Sequence, residues 1–566
     1  MIKNKYIAKF WLPITLIILL VINWLAAMYH SRIDLTNERR FTLGTSTKKI
    51  IKKIDEQITV TVFLKGDFPP GFRQLAATTS DLLAELNATA PSKLVYKFIN
   101  PDELIPTTDI KYADSLAALG LYPINLTSQL KDGQQRQFVY PFAWINYKGR
   151  QEYIELYKGK SPQITFAEIN TAEALLEYKV ANAIARIIQV NKPTVAYAVG
   201  NGEPTDYTTY DLAENVLNKS YRYAPLDLTL PTFIPKEVDV LMIVKPTTSF
   251  SDFEKLKIDQ YLMHGGKLLL FADRLNAEMD SLQQKKGEVV AFDRNLQINE
   301  LIFNYGARIN ADLLMDLQCD VLPFDVNGNG QFDFLPWNYF PVLVSNGTHP
   351  INKGLGFVVA QFANSIDTVG AEGITKTILL QTTANSRTIS SPAIISAAEN
   401  INAPVNEKFT KANLPAAVLL EGTFNSIYAN RLSAAFADSL LRNNLTFISK
   451  NVSGTKIIVV GDGDIVLNSV IKGNPIPMGR NKYTIDTQRE FAFANIDFVN
   501  NCLAYLTNDN GLNELKAKEF IPLLLDNKKT SDQKTFWQII NIVVPFTIIL
   551  LLASIFYWLR KKRYTK

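Results

Sequence analysis

Cysteine and histidine are nearly missing from this chain: two cysteines, Cys319 and Cys502, and three histidines, His30, His264 and His349, in 566 residues. So few thiols exclude a disulfide framework and a thiolate metal site; a single Cys319–Cys502 bridge stays open. Cys–His or Ser–His catalysis needs a base beside the nucleophile, and no histidine is placed for that. His30 closes an apolar run, His264 ends a helical stretch where a cation is favoured, and His349 sits in a Gly/Pro turn. Cys319, in Leu317-Gln318-Cys319-Asp320, lacks the glycines of a nucleophile elbow, and Cys502 falls in a helical pattern. No Gly-x-x-x-x-Gly-Lys-Ser/Thr loop occurs, so nucleotide hydrolysis by that machinery belongs elsewhere. Low-complexity tracts and short repeats are absent too, which excludes solenoids and disordered scaffolds.

Long apolar runs are confined to the two ends. One spans 10–28 behind Lys3, Lys5 and Lys9; the other spans 536–559 and stops at Arg560-Lys561-Lys562-Arg563. Each is about 20 residues, enough to cross roughly 30 Å of hydrocarbon as a helix. Positive flanks stay cytoplasmic, so the expectation is a two-pass inner-membrane protein with both termini inside and the bulk of the chain periplasmic. A cleaved signal peptide is the alternative for the first run, but Trp24-Leu25-Ala26-Ala27-Met28-Tyr29 offers no good cleavage site. Pro13, Asn23, Asn541 and Pro545 are imperfections that a neighbouring membrane helix would satisfy. Three lysines in the first nine residues and five basic residues in the last seven carry eight positive charges, so the rest of the chain is −3 within an overall +5. The basicity is therefore a topology signal and not a nucleic-acid surface.

Between the anchors the patterning is α/β. A Ser/Thr cluster opens a helix over 46–55, and Ile58–Leu64 is a β-branched strand. A helix over 72–88 and a strand over 94–99 complete a βαβ unit with a parallel sheet. A hairpin turns at Lys148-Gly149, and a helix over 167–189 closes the first domain, 31–190. The second domain, 191–510, has short apolar strands at 194–199, 238–244, 267–271 and 456–460. Helices are expected near 208–218, 251–263 and 490–507, and this alternation marks a doubly wound sheet. A strand-rich insertion occupies 310–450, a linker 511–535, and a basic tail 560–566.

Several segments in order carry a resemblance: Arg32-Ile33-Asp34-Leu35-Thr36, Phe63-Leu64-Lys65-Gly66, Phe98-Ile99-Asn100-Pro101, Gly200-Asn201-Gly202-Glu203, His264-Gly265-Gly266-Lys267 and Leu335-Pro336-Trp337-Asn338-Tyr339-Phe340-Pro341. Together with the two anchors, the chain resembles the GldG family of gliding-motility ABC transporter auxiliary proteins, often labelled substrate-binding. The resemblance implies a non-enzymatic subunit working with a GldF-like permease and a GldA-like ATPase, needed for gliding and linked to adhesin secretion. It also implies a second domain like that of an intraflagellar-transport protein, on a class I glutamine amidotransferase-like sheet. Where a Gly-His-Gly-Glu turn would be expected, this chain has Asn201, so no histidine role carries over.

Ligands of open α/β sheets sit beyond the carboxyl ends of the strands. Those ends supply Glu203, Asp273, Asp462 and Asp464, expected to converge with Arg274 and Lys245. They are the candidate ligand-binding residues; the plain alternative is that they terminate strands and cap helices. Asp325, Asn327, Asn329 and Asp333 match the first part of a calcium loop, but Pro336 replaces the bidentate glutamate, so a polar surface loop is the simpler reading. No cofactor is expected. The Trp337-Tyr339-Phe340 cluster reads as core before it reads as a sugar or peptide platform. Against the transporter-subunit reading stand two alternatives: an envelope hydrolase or amidase using the acidic crevice, and a purely structural tether.

Overall fold

The computed structural model describes residues 15–24, 42–106, 108–130, 133–157, 164–189, 191–284, 288–326, 329–345, 347, 349–396, 406–451, 454–485, 487, 490–507, 511–512, 515 and 533–564. Residues 1–518 form one unit and 519–566 another.

The second unit is built on α7, Lys534–Tyr564, 31 residues with a mean hydropathy of 2.6 over an 18-residue stretch and no buried side chains. At 1.5 Å per residue it is ~46 Å long, more than a bilayer's hydrocarbon needs. Pro545 lies inside it, and Thr547 Oγ1 donates to the Val543 carbonyl one turn back. At the other end of the chain the apolar helix α1, Thr15–Trp24, is shorter than a span. The rest of the first expected anchor, with its flanking lysines, lies outside the described residues. One helix of spanning length is therefore present among those described.

The first sheet follows the sequence pattern closely. After α2 (Thr45–Lys52), β1 (Ile58–Val62), α3 (Pro70–Thr89) and β2 (Leu94–Phe98) form the βαβ unit, with β1 and β2 parallel and Val60 opposite Tyr96. Then β3 (Phe142–Tyr147) and β4 (Arg150–Glu155) pair as a hairpin across Lys148 and Gly149, both at positive φ, the conformation that matches strand twist in a two-residue turn. The order is β2-β1-β3-β4. Helix α4 (Phe166–Ile188) starts in a Thr165/Glu168 capping box and packs on this sheet with Ile169, Leu176, Val180 and Ile184. Its buried Glu177 accepts from Gly44 N at 2.6 Å and Thr47 Oγ1 at 2.7 Å. A carboxylate there also meets the positive end of the α2 dipole. Helix Tyr112–Ala118 and the hairpin Ile124–Leu130/Gly133–Val139 are additional elements that the periodicity does not announce.

The second sheet has ten strands. Its labelled members are β5 (Thr194–Val199), β6 (Arg222–Asp227), β7 (Val240–Val244), β8 (Leu268–Phe271), β9 (Cys319–Phe324), β10 (Asp333–Ser345), β11 (Ile374–Gln381), β12 (Pro415–Gly422) and β13 (Lys456–Val460). The path is β9-β10-β11-β12-β13-β8-β7-β5-β6, with Val358–Val359 added beside β10. From β13 to β6 every pairing is parallel; from β9 to β13 every pairing is antiparallel. The 310–450 stretch is strand-rich as expected. It is not a detached subdomain, however: β10, β11 and β12 continue the main sheet. Strands β6 and β9 are the two edges, and each contains a proline, Pro225 and Pro323.

Both faces of the parallel half are covered, which is why its strands are unbroken apolar runs. Val240, Met242 and Val244 face one core with Phe498 and Leu503 of α6 (Asn495–Thr507); Leu241 and Ile243 face the other with Ile258 and Leu262 of α5 (Asp252–Met263). The expected 208–218 helix is a 3₁₀ turn, Tyr207–Thr209, followed by a π-helical turn, Leu212–Leu217.

Helix α5 is buried on nearly all sides, so its polar residues need internal partners. Asp259, fully buried, accepts from Tyr305 Oη at 2.7 Å, Ser426 Oγ at 2.6 Å and Ile427 N at 3.1 Å. Replacing Asp259 with Ala strands these three donors. The expected cost is roughly 3 kcal/mol or more, read as a lower melting temperature of the detergent-solubilised chain; Asp259→Asn, which keeps one acceptor oxygen, costs less.

Candidate functional site

Taken in chain order, the five parallel strands lie in the sheet as second, first, third, fourth, fifth. In such an order the connections from β5 and β7 leave to opposite faces, so a crevice opens between their carboxyl ends. A cavity of about 420 Å³ is found there, lined among others by Gly202 and Pro204 after β5, Lys245 and Thr247 after β7, Glu278 and Asp464. Thr208, Ser469 and Lys482 line it as well.

The floor is an ion cluster. Lys245 ends β7 in the left-handed region, φ 45°, immediately before Pro246. Its Nζ lies 2.7 Å from both carboxylate oxygens of Asp464, 3.1 Å from Glu278 and 3.6 Å from Asp273. The loops after β7 and β13 pass so closely that a Cβ on Gly463 would collide with Lys245 Cβ. Backbone amides orient the acids: Gly463 N donates to Asp273 at 2.6 Å, while Gln361 N at 2.7 Å and Asp464 N at 2.6 Å donate to the two oxygens of Asp462. Burial pulls the Lys245 ammonium down, but Asp464, Asp273 and Glu278 outweigh it and hold it above its ordinary value. Burial pushes the Asp273 and Asp462 carboxyls up; Asp464 adds to both, and Lys245 partly offsets the shift at Asp273.

Glu203 forms a neighbouring cluster. Its Oε2 accepts from Asn201 N at 2.7 Å, Asn201 Nδ2 reaches Glu254 at 3.2 Å, and the Asn201 carbonyl accepts from Thr247 N and Thr248 N. Glu203 Oε1 and Asn201 Oδ1 are buried without a hydrogen bond. Burial raises the Glu203 carboxyl to about 7, against two backbone amides that lower it, with Glu254 adding to the rise. Gly200 and Gly202 have positive φ, and a Cβ on Gly202 would run into Thr247 Oγ1, so the turn requires glycine there.

Of the expected site residues, Asp273, Asp462 and Asp464 come together, and Lys245 joins them. Arg274 does not: its guanidinium pairs with Asp293 at 2.9 Å and the Ile309 carbonyl, away from the cluster. Glu203 sits beside the crevice wall and not in it. Glu278, Gln361 and Lys482 also line the cavity and come from segments that no sequence spacing marks.

The calcium-like loop is the β9–β10 hairpin turn. Both oxygens of Asp325 are taken by the amides of Asn329 and Gly330, Asn329 Oδ1 accepts from Gln331 N, and Asn327 lies outside the described residues. Trp337, Tyr339 and Phe340 are buried, with Trp337 and Tyr339 centroids 5.1 Å apart, so they are core and present no platform. The two cysteines are free. Burial, with Asp316 and Asp320 adding, pushes the Cys319 thiol up to about 12, the opposite of an activated nucleophile. His264 Nδ1 contacts the Gln260 carbonyl at 2.7 Å, and His349 Nδ1 accepts from Ile351 N at 3.2 Å. A second cavity, about 260 Å³, runs along the seam between α4 and the 353–357 and α6 segments, without a comparable buried charge cluster.

A family model described as an ABC-type uncharacterized transport system matches residues 192–502, the whole of this second sheet. Another, a domain of unknown function (DUF7088), matches 37–146. An uncharacterized protein of Borreliella burgdorferi is 23% identical over 343 residues, 59% of this chain; the match spans 60% of that relative's length. Among solved structures, the N-terminal domain of mmIFT52 is 14% identical with a TM-score of 0.30, covering 56% of this chain and 98% of that one. A ThuA-like protein from Parabacteroides merdae is 11% identical with a TM-score of 0.26, covering 56% and 90%. At these scores neither likeness carries an argument about fold or activity.

The Glu203 carboxyl gives a pH prediction. Its value rises from 4.5 to about 7 on folding, so the native state binds more protons than the unfolded one across that window. Its contribution to stability is full below 4.5 and is lost as pH rises toward 7. Glu203→Gln is expected to flatten the fall in melting temperature between pH 4.5 and 7; an unchanged profile would assign the slope to other groups.

Proposed function

The chain belongs to the auxiliary family of an ABC-type uncharacterized transport system, and we propose that it is the membrane-anchored, extracytoplasmic subunit that holds a polar solute for that transporter. The observation that carries the reading is the crevice at the strand-order reversal. It is a cavity of about 420 Å³ with a charged floor and a polar rim, in the position where open α/β sheets bind ligands. Helix α7 supports the anchoring half of the proposal: it is long, apolar and unburied, with basic residues in its last turn. Its polar positions Gln538 and Asn541 and the kink-prone Pro545 suit contact with another membrane helix. On this reading the partners are a permease and an ATPase of the GldF and GldA kind, the bulk of the chain is periplasmic, and the resemblance to gliding-motility auxiliaries extends to that process and to adhesin secretion. Nothing in the cysteines or histidines favours an enzyme.

Affinity purification of the full chain in mild detergent is expected to bring down a permease and an ATPase, and removal of 534–564 to lose them. A chain that comes away alone under conditions that keep other transporters intact would sink the partnership. Filling the crevice with Ser469→Trp is expected to leave co-purification unchanged while reducing transport at least tenfold; unimpaired transport would reduce the protein to a tether.

A further inference from the structure

We propose that the solute held in the crevice carries an oxyanion, a carboxylate or a phosphate group, seated by the Lys482 ammonium, the Ser469 hydroxyl and the Gln361 side-chain amide. The proposal rests on the crevice reading and names the chemical class that the crevice takes. Beside the cavity of about 420 Å³ lies a smaller one of about 70 Å³, and Met279, Gln361, Ser469 and Lys482 line both. Three of these four residues carry hydrogen-bond donors and none is an acid.

The independent observation is that these donors are uncommitted. Among the described residues, the cations lining the two cavities are Lys245, Arg480 and Lys482. Lys245 is spent on Asp464, Glu278 and Asp273, and Arg480 is paired with Glu490. Lys482 has no carboxylate partner among the described residues and rests over the ring of its neighbour Tyr483, with Nζ 5.2 Å from the centroid. Ser469 Oγ and the Gln361 side chain likewise make no hydrogen bond among the described residues. All three residues are half-buried. Donors drawn partly out of water with nothing to bind inside the protein carry a cost that a ligand's acceptor oxygens recover. The lining acids do not serve Lys482 as counter-ions. Glu278 and Asp464 are held by Lys245, Asp320 accepts from Val321 N and Asn481 Nδ2 at 2.8 Å, and Asp280 is exposed and makes no pair with Lys482.

The three backbones are also fixed in advance. Gln361 N donates to Asp462 at 2.7 Å, and the Ser469 carbonyl accepts from Ile476 N at 2.9 Å. The turn that bears Lys482 is pinned by Asn481, whose Nδ2 donates to Asp320 Oδ2 and the Val321 carbonyl at 2.8 Å and whose Oδ1 accepts from Tyr483 N at 2.9 Å. Binding therefore orders side-chain rotamers and little else. A point-charge ammonium beside two neutral donors suits a group with several acceptor oxygens, and the larger cavity leaves room for a polar body attached to it.

Calorimetric titration of the detergent-solubilised full chain with inorganic phosphate and, separately, with acetate tests this, with glycerol as the uncharged control. One saturable site is expected for at least one of the anions and none for glycerol; the anion that binds decides between phosphate and carboxylate. Lys482→Met is expected to weaken that binding roughly tenfold or more, and Lys482→Arg, which keeps the charge, to retain most of it. If Lys482→Met does not fold, as judged by circular dichroism, Gln361→Ala replaces it, since it keeps the amide that holds Asp462, and severalfold weaker binding is expected. No saturable binding of either anion by the wild-type chain up to about 10 mM, the weak end of specific binding, overturns the proposal. So does equal uptake of glycerol, or affinity unchanged in the folded variant. Failure here and failure of the crevice reading are distinguishable. Transport lost in Ser469→Trp without anion binding keeps the crevice and overturns the anion class; Lys482-dependent anion binding with unimpaired transport in Ser469→Trp keeps the seat and loses the transport role.

Discussion

One ammonium group holds the working edge of the second sheet together. Lys245 leaves β7, Asp273 leaves β8 and Asp464 leaves β13, so its contacts tie the carboxyl ends of three adjacent parallel strands. Parallel strands fray at their ends because the connections depart to either face and nothing covalent joins neighbours. A buried charge network can fix those ends only if every member is placed, since an uncompensated buried charge costs far more than an exposed pair returns. The surrounding sequence meets that demand with small residues: Gly463 allows the loops to touch, and Gly202 lets the β5 turn pass under Thr247. The crevice wall is thus set by packing that precedes any ligand.

Much of this was legible in the residues. The β-branched strand at 58–62 and the apolar runs at 240–244, 268–271 and 456–460 each announce their element, because local pattern and tertiary burial agree there. Acids after strand ends are equally readable, which is why three of the five candidate residues meet in space. Arg274 fails for a definite reason: past the end of β8 its guanidinium is taken by Asp293 and the Ile309 carbonyl, partners that no local spacing announces. Lys245's partner Glu278 and the amide of Gln361 come from loops whose approach depends on the whole sheet, and no local spacing encodes that.

The antiparallel half shows a different limit. Strands β10 to β12 read as an insertion because they interrupt the alternation of strand and helix, yet they pair with β13 and extend the same sheet. Sequence distance between β8 and β13 hides that they are neighbours in register, Leu269 opposite Ile458. Segments of this kind are placed by long-range hydrogen bonding, which leaves little periodic trace.

The two edge prolines have a further consequence. Pro225 on β6 and Pro323 on β9 each remove an N–H from the outermost strands of the ten-stranded sheet. A foreign strand adding to either border would find its ladder broken at that point, as borders protected against self-association commonly are. Borrowing an extended segment from another protein is therefore disfavoured as a mode of recognition for this sheet. On the proposed reading, recognition falls to side chains and loops at the strand termini, where shape and charge, not backbone pairing, set selectivity.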